Sequence, residues 1–277
     1  MRFAKMHGLG NDFVMVNGFT EDLPEDLGAL ARKVCDRRRA IGADGLIVLS
    51  PSDKADLFFS LYNNDGSRAE MCGNGSRCAA IFANMEGIVD KNDLTFETLA
   101  GIVAPTIIDV KNKIVTVDMG IPRLAPAEIP AEFSGDRTVG VPLMVREKLF
   151  YVTLVSMGNP HCVIFVDDLE HFNVEEFGPL IENHPSFPAR INAEFIQLIS
   201  DENIRMKVWE RGAGLTMACG TGACAAAVAA VLNGYTKRKV EVELEYGSLL
   251  IEWREDDHVM MTGPAEFVTY GEYEINS

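Results

Sequence analysis

The sequence predicts a mixed α/β fold of two pseudo-symmetric domains, with the active site in the interdomain cleft. Three observations carry that prediction: a set of motifs that occurs twice in the same order, segments of strand and helix period in both halves, and a length that favours two cores over one. At 277 residues with 47% hydrophobic content, a single core would sit near the size at which chains divide into domains.

The duplication is read directly from the residues. Gly10-Asn11 runs into Asp12-Phe-Val-Met-Val16, and Gly158-Asn159 runs into Pro160-His-Cys-Val-Ile-Phe-Val166; each reads as a turn entering a strand. Cys72 follows Asn11 by 61 residues in Met71-Cys-Gly-Asn-Gly75, and Cys219 follows Asn159 by 60 in Ala218-Cys-Gly-Thr-Gly222. Nine residues before each cysteine stands a polar residue after an aromatic, Tyr62-Asn63 and Trp209-Glu210. After each cysteine an alanine-rich stretch, from Cys78 to Met85 or Cys224 to Leu232, reads as a helix. Chance similarity of two Gly/Ala-rich segments competes with duplication, but three features in order at near-equal offsets weigh against it.

Other elements follow in chain order. Leu27, Leu30, Ala31 and Val34 have the spacing of an early helix, and Leu57 to Tyr62 reads as a strand. Ile114 to Met119 reads as another strand, and Gly120 to Gly140, rich in Pro, Ala and charge, as a linker. Val240-Glu-Val-Glu-Leu-Glu245 alternates as a half-buried strand does, and the segment after Gly263-Pro264 is again strand-like.

Composition excludes several function classes. A formal charge of −16 and a pI near 4.7 oppose counterion-release binding, so no nucleic-acid partner is expected. The N-terminal stretch from Met1 to Val16 lacks a charged region followed by an apolar one, so no export signal is read there. The apolar run from Ala223 to Leu232 is about half of a bilayer-spanning helix, so no membrane partner is expected either. These features predict a soluble cytoplasmic protein whose six cysteines, Cys35, Cys72, Cys78, Cys162, Cys219 and Cys224, are reduced thiols.

Two Cys-Gly-x-Gly helix starts suit a particular chemistry. A helix N-terminus favours the thiolate, lowering the thiol from its reference value of about 8.5 so that it works as a base near neutral pH. The glycines let several N–H groups converge on one anion, such as an amino-acid carboxylate. One such site would suit a nucleophile; two in matching halves suit inversion. One sulfur takes the α-proton from one face while the other returns a proton to the opposite face, and the N–H groups stabilise the enolate-like charge.

Cys78, Cys162 and Cys224 lie in apolar runs and read as buried hydrophobes, a reading also open for Cys35. Zinc is a weaker explanation, because the cysteine gaps are not C-x2-C pairs and no His stands near; no metal is expected. A Cys/His hydrolase with His161 as base is the runner-up chemistry, and it leaves the second cysteine unexplained. A two-lobed amino-acid-binding protein is the non-enzyme alternative and would need no reactive thiol. Gly8-Leu-Gly10 and Gly73-Asn-Gly75 complete no nucleotide motif, and no pyridoxal-phosphate lysine motif is recognisable, so no cofactor is expected.

Five stretches together are specific: Lys5-Met-His-Gly-Leu-Gly-Asn-Asp-Phe13, Asn64-Asp-Gly-Ser67 leading to Cys72-Gly-Asn-Gly75, Ser156-Met-Gly-Asn-Pro-His-Cys162, Glu210-Arg-Gly-Ala-Gly214 and Ala218-Cys-Gly-Thr-Gly-Ala-Cys224. On them, and on the closing Met261-Thr-Gly-Pro264, the chain resembles the diaminopimelate epimerase family over nearly its whole length. The resemblance implies pyridoxal-phosphate-independent interconversion of LL- and meso-2,6-diaminopimelate, in lysine and peptidoglycan precursor biosynthesis, by a homodimer. It implies that each domain is a mixed β-sheet or barrel curled around a central helix, with residues 1–118 plus 264–277 as one domain and 119–263 as the other.

The resemblance also implies roles. Cys72 and Cys219 are the acid/base pair; Gly73, Asn74, Gly220 and Thr221 hold the reacting carboxylate. Asn11, Asn63, Asn159, Asn192, Glu210 and Arg211 line the substrate pocket, and His161 and Glu210 tune the thiols. Arg211 would pair bidentately with the distal carboxylate, and a site with such groups rejects amino acids that leave them unpaired. Two positions depart from the family pattern: Leu215-Thr216 stands where Glu-Thr is common, and Gly45 where some members have Gln. Proline and histidine racemases and phenazine-pathway isomerases share the fold; the distal residues oppose the first two and the cysteine pair opposes the third.

Overall fold

A computed structural model describes residues 1–275. The chain divides into two units, one made of Met1–Asp118 with the chain from Thr262, the other of Met119–Met261. Each is a sheet of mixed strand direction with a buried helix packed against it, so the mixed α/β class holds.

In the first unit the strands lie in the order Glu266–Glu272, Arg2–Gly8, Asn11–Asn17, Gly45–Ser50, Leu57–Asn63, Phe96–Thr98 and Gly101–Val103. The C-terminal strand is therefore an edge beside the N-terminal one. Strands 2–8 and 11–17 are joined by Leu9 and Gly10, both at positive φ (54° and 85°), the backbone that a two-residue hairpin requires. That turn delivers Asn11 to the start of its strand. Helix α1 (Leu27–Val34) is capped by Asp26, whose Oδ1 accepts from Ala29 N at 2.8 Å, and carries Arg32 and Lys33 in its last turn, where they favour the dipole. Helix α2 (Gly73–Met85) is buried from Gly73 to Ala83 and packs on the strands and on the hairpin of Pro105–Asp109 with Ile114–Asp118.

In the second unit the strand order begins Val141–Val145, Lys148–Ser156, Pro160–Phe165, Asn192–Leu198, Asn203–Glu210, Lys239–Leu244, Gly247–Trp253 and Val259–Pro264. Helix α3 (Val174–Glu182), which has no counterpart in the sequence reading, is capped by Asn173. Helix α4 (Gly220–Leu232) is buried from Gly222 to Ala230. An apolar helix without a polar stripe is stable only inside a unit, and α4 is the core around which this sheet packs. Among the described residues no helix is long and apolar enough to cross a membrane.

The expected helices at 27–34, 78–85 and 224–232, and the strands near 57–62, 114–119 and 240–245, are present. The stretch from 120 to 140 departs from expectation because it is not a loose linker. Arg123 exchanges backbone hydrogen bonds with Ser156, Leu154 N donates to Thr138 O, and Ile129 is buried in the core of the second unit. Its prolines and charges belong to a packed segment whose apolar residues are too sparse to show a period.

Candidate active site

Cys72 is the N-cap of α2. Its backbone is extended (φ −146°, ψ 120°) and its sulfur accepts from Gly75 N at 3.4 Å, the place usually taken by Ser or Asp oxygen. The Cys72 thiol donates to Asn11 Oδ1 at 3.7 Å, and Asn74 Nδ2 donates to the same oxygen at 3.3 Å. Both amides are held in one orientation. Asn11 Nδ2 donates to Asp44 Oδ2 at 2.9 Å, and Arg77 Nη2 donates to Asn74 Oδ1 at 2.9 Å.

Behind Asn11 lies an ionic cluster. Arg37 spans Asp12 and Asp44 at 2.7 Å each, and Lys5 meets Asp12 at 2.8 Å. Burial alone would raise the Asp12 carboxyl, but hydrogen bonds from Arg37 and Lys5 outweigh it and hold the group at about 2. Asn63 is exposed at the end of its strand and donates from Nδ2 to Ser67 Oγ at 2.9 Å.

Cys219 is the matching N-cap of α4. Gly222 N donates to its sulfur at 3.4 Å, and Thr221 Oγ1 lies 3.4 Å away. Asn159 donates from Nδ2 to Thr221 Oγ1 at 3.2 Å, and its Oδ1 is 3.0 Å from His161 Nε2. His161 Nδ1 is 2.6 Å from Glu194 Oε1, with both side chains fully buried. Both imidazole nitrogens are thus engaged, which removes support for His161 as the free base of a hydrolase.

The Cys219 thiol differs from the sequence expectation. Burial pushes it well above its ordinary value, and the carboxylates of Glu210 and Glu194 add to that; Thr221 and the Gly222 N–H pull the other way. A helix N-terminus favours a thiolate by a local field, and here desolvation is the larger effect. Glu210 reaches the sulfur by charge while its Oε1 accepts from Thr216 Oγ1.

Asn192 and Arg211 come together one step back. Asn192 Nδ2 donates to Pro160 O at 2.7 Å, and its Oδ1 accepts from Arg211 N at 2.8 Å, so its amide braces backbone on both sides. Arg211 Nη1 donates to Ala189 O at 3.1 Å. Glu182 ties the same turn, accepting from Trp209 Nε1 at 2.8 Å and Gly212 N at 2.9 Å. Of the two departures from the family pattern, Leu215 is exposed, and Gly45 is packed so that a Cβ there would meet Tyr62 O at 2.9 Å.

Asn11, Cys72, Gly73 and Asn74 therefore form one station, and Asn159, His161, Cys219, Gly220 and Thr221 form another, with Glu210 beside it. The sequence reading missed Asp44, Arg77 and Glu194. Two carried a visible signal: a charged residue inside an apolar helix (Arg77) and one inside an apolar strand (Glu194), where burial demands a partner.

A family model described as diaminopimelate epimerase matches residues 3–125 and 153–268. The diaminopimelate epimerase of Pelotomaculum thermopropionicum is 54% identical over 276 residues, covering 99% of each chain. That of Desulforudis audaxviator is 55% identical over 275 residues, again covering 99% of each. Among solved structures, a phenazine biosynthesis protein of the PhzF family from Bacillus anthracis superposes with a TM-score of 0.71 at 17% identity over 99% of both chains, a likeness of fold alone.

Proposed function

The chain belongs to the diaminopimelate epimerase family, an isomerase family, and from that premise we propose that Cys72 and Cys219 are its acid and base, acting without pyridoxal phosphate or metal. One observation carries the reading: each thiol caps a buried helix, takes a glycine N–H on sulfur, and stands within reach of an asparagine network. One sulfur as thiolate removes the α-proton; the other as thiol delivers a proton to the opposite face, and the roles exchange in the reverse direction.

The N–H groups of Gly73, Asn74, Gly220 and Thr221, at the two helix starts, suit the carboxylate of the reacting centre. They stabilise the charge that builds up as the α-carbon loses its proton. Asn11 and Asn159 bind close to the thiols, while Asn63, Asn192, Glu210 and Arg211 act on the distal amino-acid end. Arg211 supplies the cation for the distal carboxylate, and Asn192 serves that grip by bracing its backbone. Glu210 acts on Cys219 by charge, and His161 acts through Asn159. The working form is a homodimer.

Proton NMR of LL-2,6-diaminopimelate in D2O, with dialysed protein, reductant and neither pyridoxal phosphate nor metal, tests this. Loss of one α-proton signal with appearance of the meso isomer is the expected result. An unchanged spectrum would sink the reading, and the same assay on proline and histidine would then separate altered specificity from a wrong reaction class.

A further inference from the structure

The two units follow one plan and part company beneath their thiols. Parallel strand pairing sets Phe13 beside Gly45 in the first unit and His161 beside Asn192 in the second. Two residues further along the second strand of each pair stand Ile47 and Glu194. A Cβ on Gly75 would meet Ile47 Cδ1 at 3.0 Å, and a Cβ on Gly222 would meet Glu194 Oε1 at 3.0 Å. The same place under a helix start thus holds an apolar pair, Phe13 and Ile47, in one unit and an ionisable pair, His161 and Glu194, in the other. The first unit shows that this place under the helix start can be filled by apolar side chains, so the ionisable pair under α4 answers to something other than packing at that place.

We propose that Glu194 is a positioning residue for Cys219, acting through His161, Asn159 and Thr221 to aim a line of hydrogen-bond donors at the sulfur. The proposal rests on the reading of Cys219 as a reacting thiol.

The donor directions follow from the atoms. Glu194 and His161 share a proton across 2.6 Å. With the proton on the carboxyl, the neutral ring accepts at Nδ1 and keeps its hydrogen on Nε2; with the proton on the ring, both nitrogens carry hydrogen. In both forms Nε2 carries hydrogen and donates to Asn159 Oδ1; a neutral ring with its only hydrogen on Nδ1 would set two acceptors face to face, because the Asn159 amide turns Oδ1 to Nε2 and Nδ2 to Thr221. That contact orients the amide so that Nδ2 donates to Thr221 Oγ1. A hydroxyl accepting that bond has its own hydrogen left to donate, and the Cys219 sulfur lies 3.4 Å from it.

The line ends on a sulfur that burial and two carboxylates otherwise keep protonated. Thr221 and the Gly222 N–H are the groups that favour its thiolate, and the line maintains the first of them. Glu194 Oε2, buried, has no hydrogen-bond partner among the described residues. An acceptor kept unpaired at such depth is retained for what its other oxygen does.

In the first unit the corresponding line ends differently. Arg77 donates to Asn74, and Asn74 donates to Asn11 Oδ1, an acceptor that receives the Cys72 thiol. An amide oxygen cannot donate to sulfur, so this line, unlike the one that ends at Thr221, presents an acceptor to its thiol.

The test is the rate of iodoacetamide labelling of Cys219 at fixed pH, read by mass mapping with Cys72 as internal reference, in wild type, Glu194→Ile, Glu194→Gln and Thr221→Val. Glu194→Ile installs the residue type of the matching place and is expected to slow Cys219 labelling roughly tenfold, the scale of one hydrogen bond to a charged group. Cys72 is expected to stay within about twofold of wild type, and kcat for epimerisation to fall by a similar factor to Cys219 labelling while KM moves little. Glu194→Gln keeps a donor to Nδ1, hence hydrogen on Nε2, and is expected to remain near wild type. Combined with Thr221→Val, Glu194→Ile is expected to add nothing further.

Unchanged or faster labelling of Cys219 in Glu194→Ile would overturn the proposal, faster labelling meaning that the carboxylate acts only as a repelling charge. Additive slowing in the double variant would also overturn it. Glu194→Met, unbranched and closer in shape, carries the same expectation and replaces the isoleucine variant if that one does not fold. Labelling needs no substrate, so absence of epimerisation by the wild type would refute the functional reading and leave this decision intact.

Discussion

Arg77 donates from Nη2 to Asn74 Oδ1 at 2.9 Å, and both side chains are buried at the start of the helix that Cys72 caps. Arg77 also donates from Nε to Pro264 O at 3.1 Å, joining α2 to the C-terminal segment of the same unit. Arg77→Met leaves the buried Asn74 Oδ1 and the part-buried Pro264 O without these donors and is expected to cost about 3 kcal/mol. Urea unfolding should show a lower midpoint at unchanged m-value. A midpoint equal to wild type would mean that the contacts contribute nothing.

Asp12 should make acid stability depend on its ion pairs. Its carboxyl is held at about 2, against 3.8 for the unperturbed group. A depressed folded value means that the contribution is present above about pH 4 and is lost as pH falls through about 2. Wild type should therefore exceed Asp12→Asn in unfolding free energy near neutrality, and the gap should close between those values. A gap independent of pH would contradict the assignment.

On the proposed two-thiol mechanism, Cys72 and Cys219 should each be needed. Cys72→Ala and Cys219→Ala are each expected to lower the epimerisation rate by about 100-fold or more, with circular dichroism unchanged. Full activity in either variant would exclude a two-thiol mechanism.

Three of the four remaining thiols, Cys35, Cys78 and Cys162, should be inert in the native protein. Burial pushes Cys35 and Cys78 up to about 12, and pushes Cys162 well above its ordinary value. At pH 8, alkylation with mass mapping is expected to reach partly exposed Cys72 first and to leave these three unmodified until the chain is unfolded. Early native-state labelling at Cys78 or Cys162 would contradict their burial.

Gly178 leaves room for Trp209. A Cβ at that position in α3 would stand 2.5 Å from Trp209 Cγ. Gly178→Ala is expected to destabilise by about 2 kcal/mol through overpacking and to displace the turn bearing Glu210 and Arg211, raising KM more than it lowers kcat. A thermal melt and a tryptophan emission spectrum identical to wild type would refute this.

Much of this architecture is local and could be read along the chain. The helices starting after Cys72 and Cys219, the turns before Asn11 and Asn159, and the alternation from 240 to 245 depend on glycine geometry, capping and hydrophobic period, all properties of neighbouring residues. Other features depend on residues distant in sequence. Arg77 meets Pro264, and Glu194 meets His161 across a parallel strand pair that no local pattern announces. The upward shift of Cys219 is a sum of burial and of charges brought to it by separate strands, whereas its place at a helix start predicted the opposite sign. The sequence by itself determined which two thiols stand at helix N-termini, one in each unit. Only the tertiary structure decided what surrounds each sulfur, because desolvation and Coulomb interactions are set by distance in space.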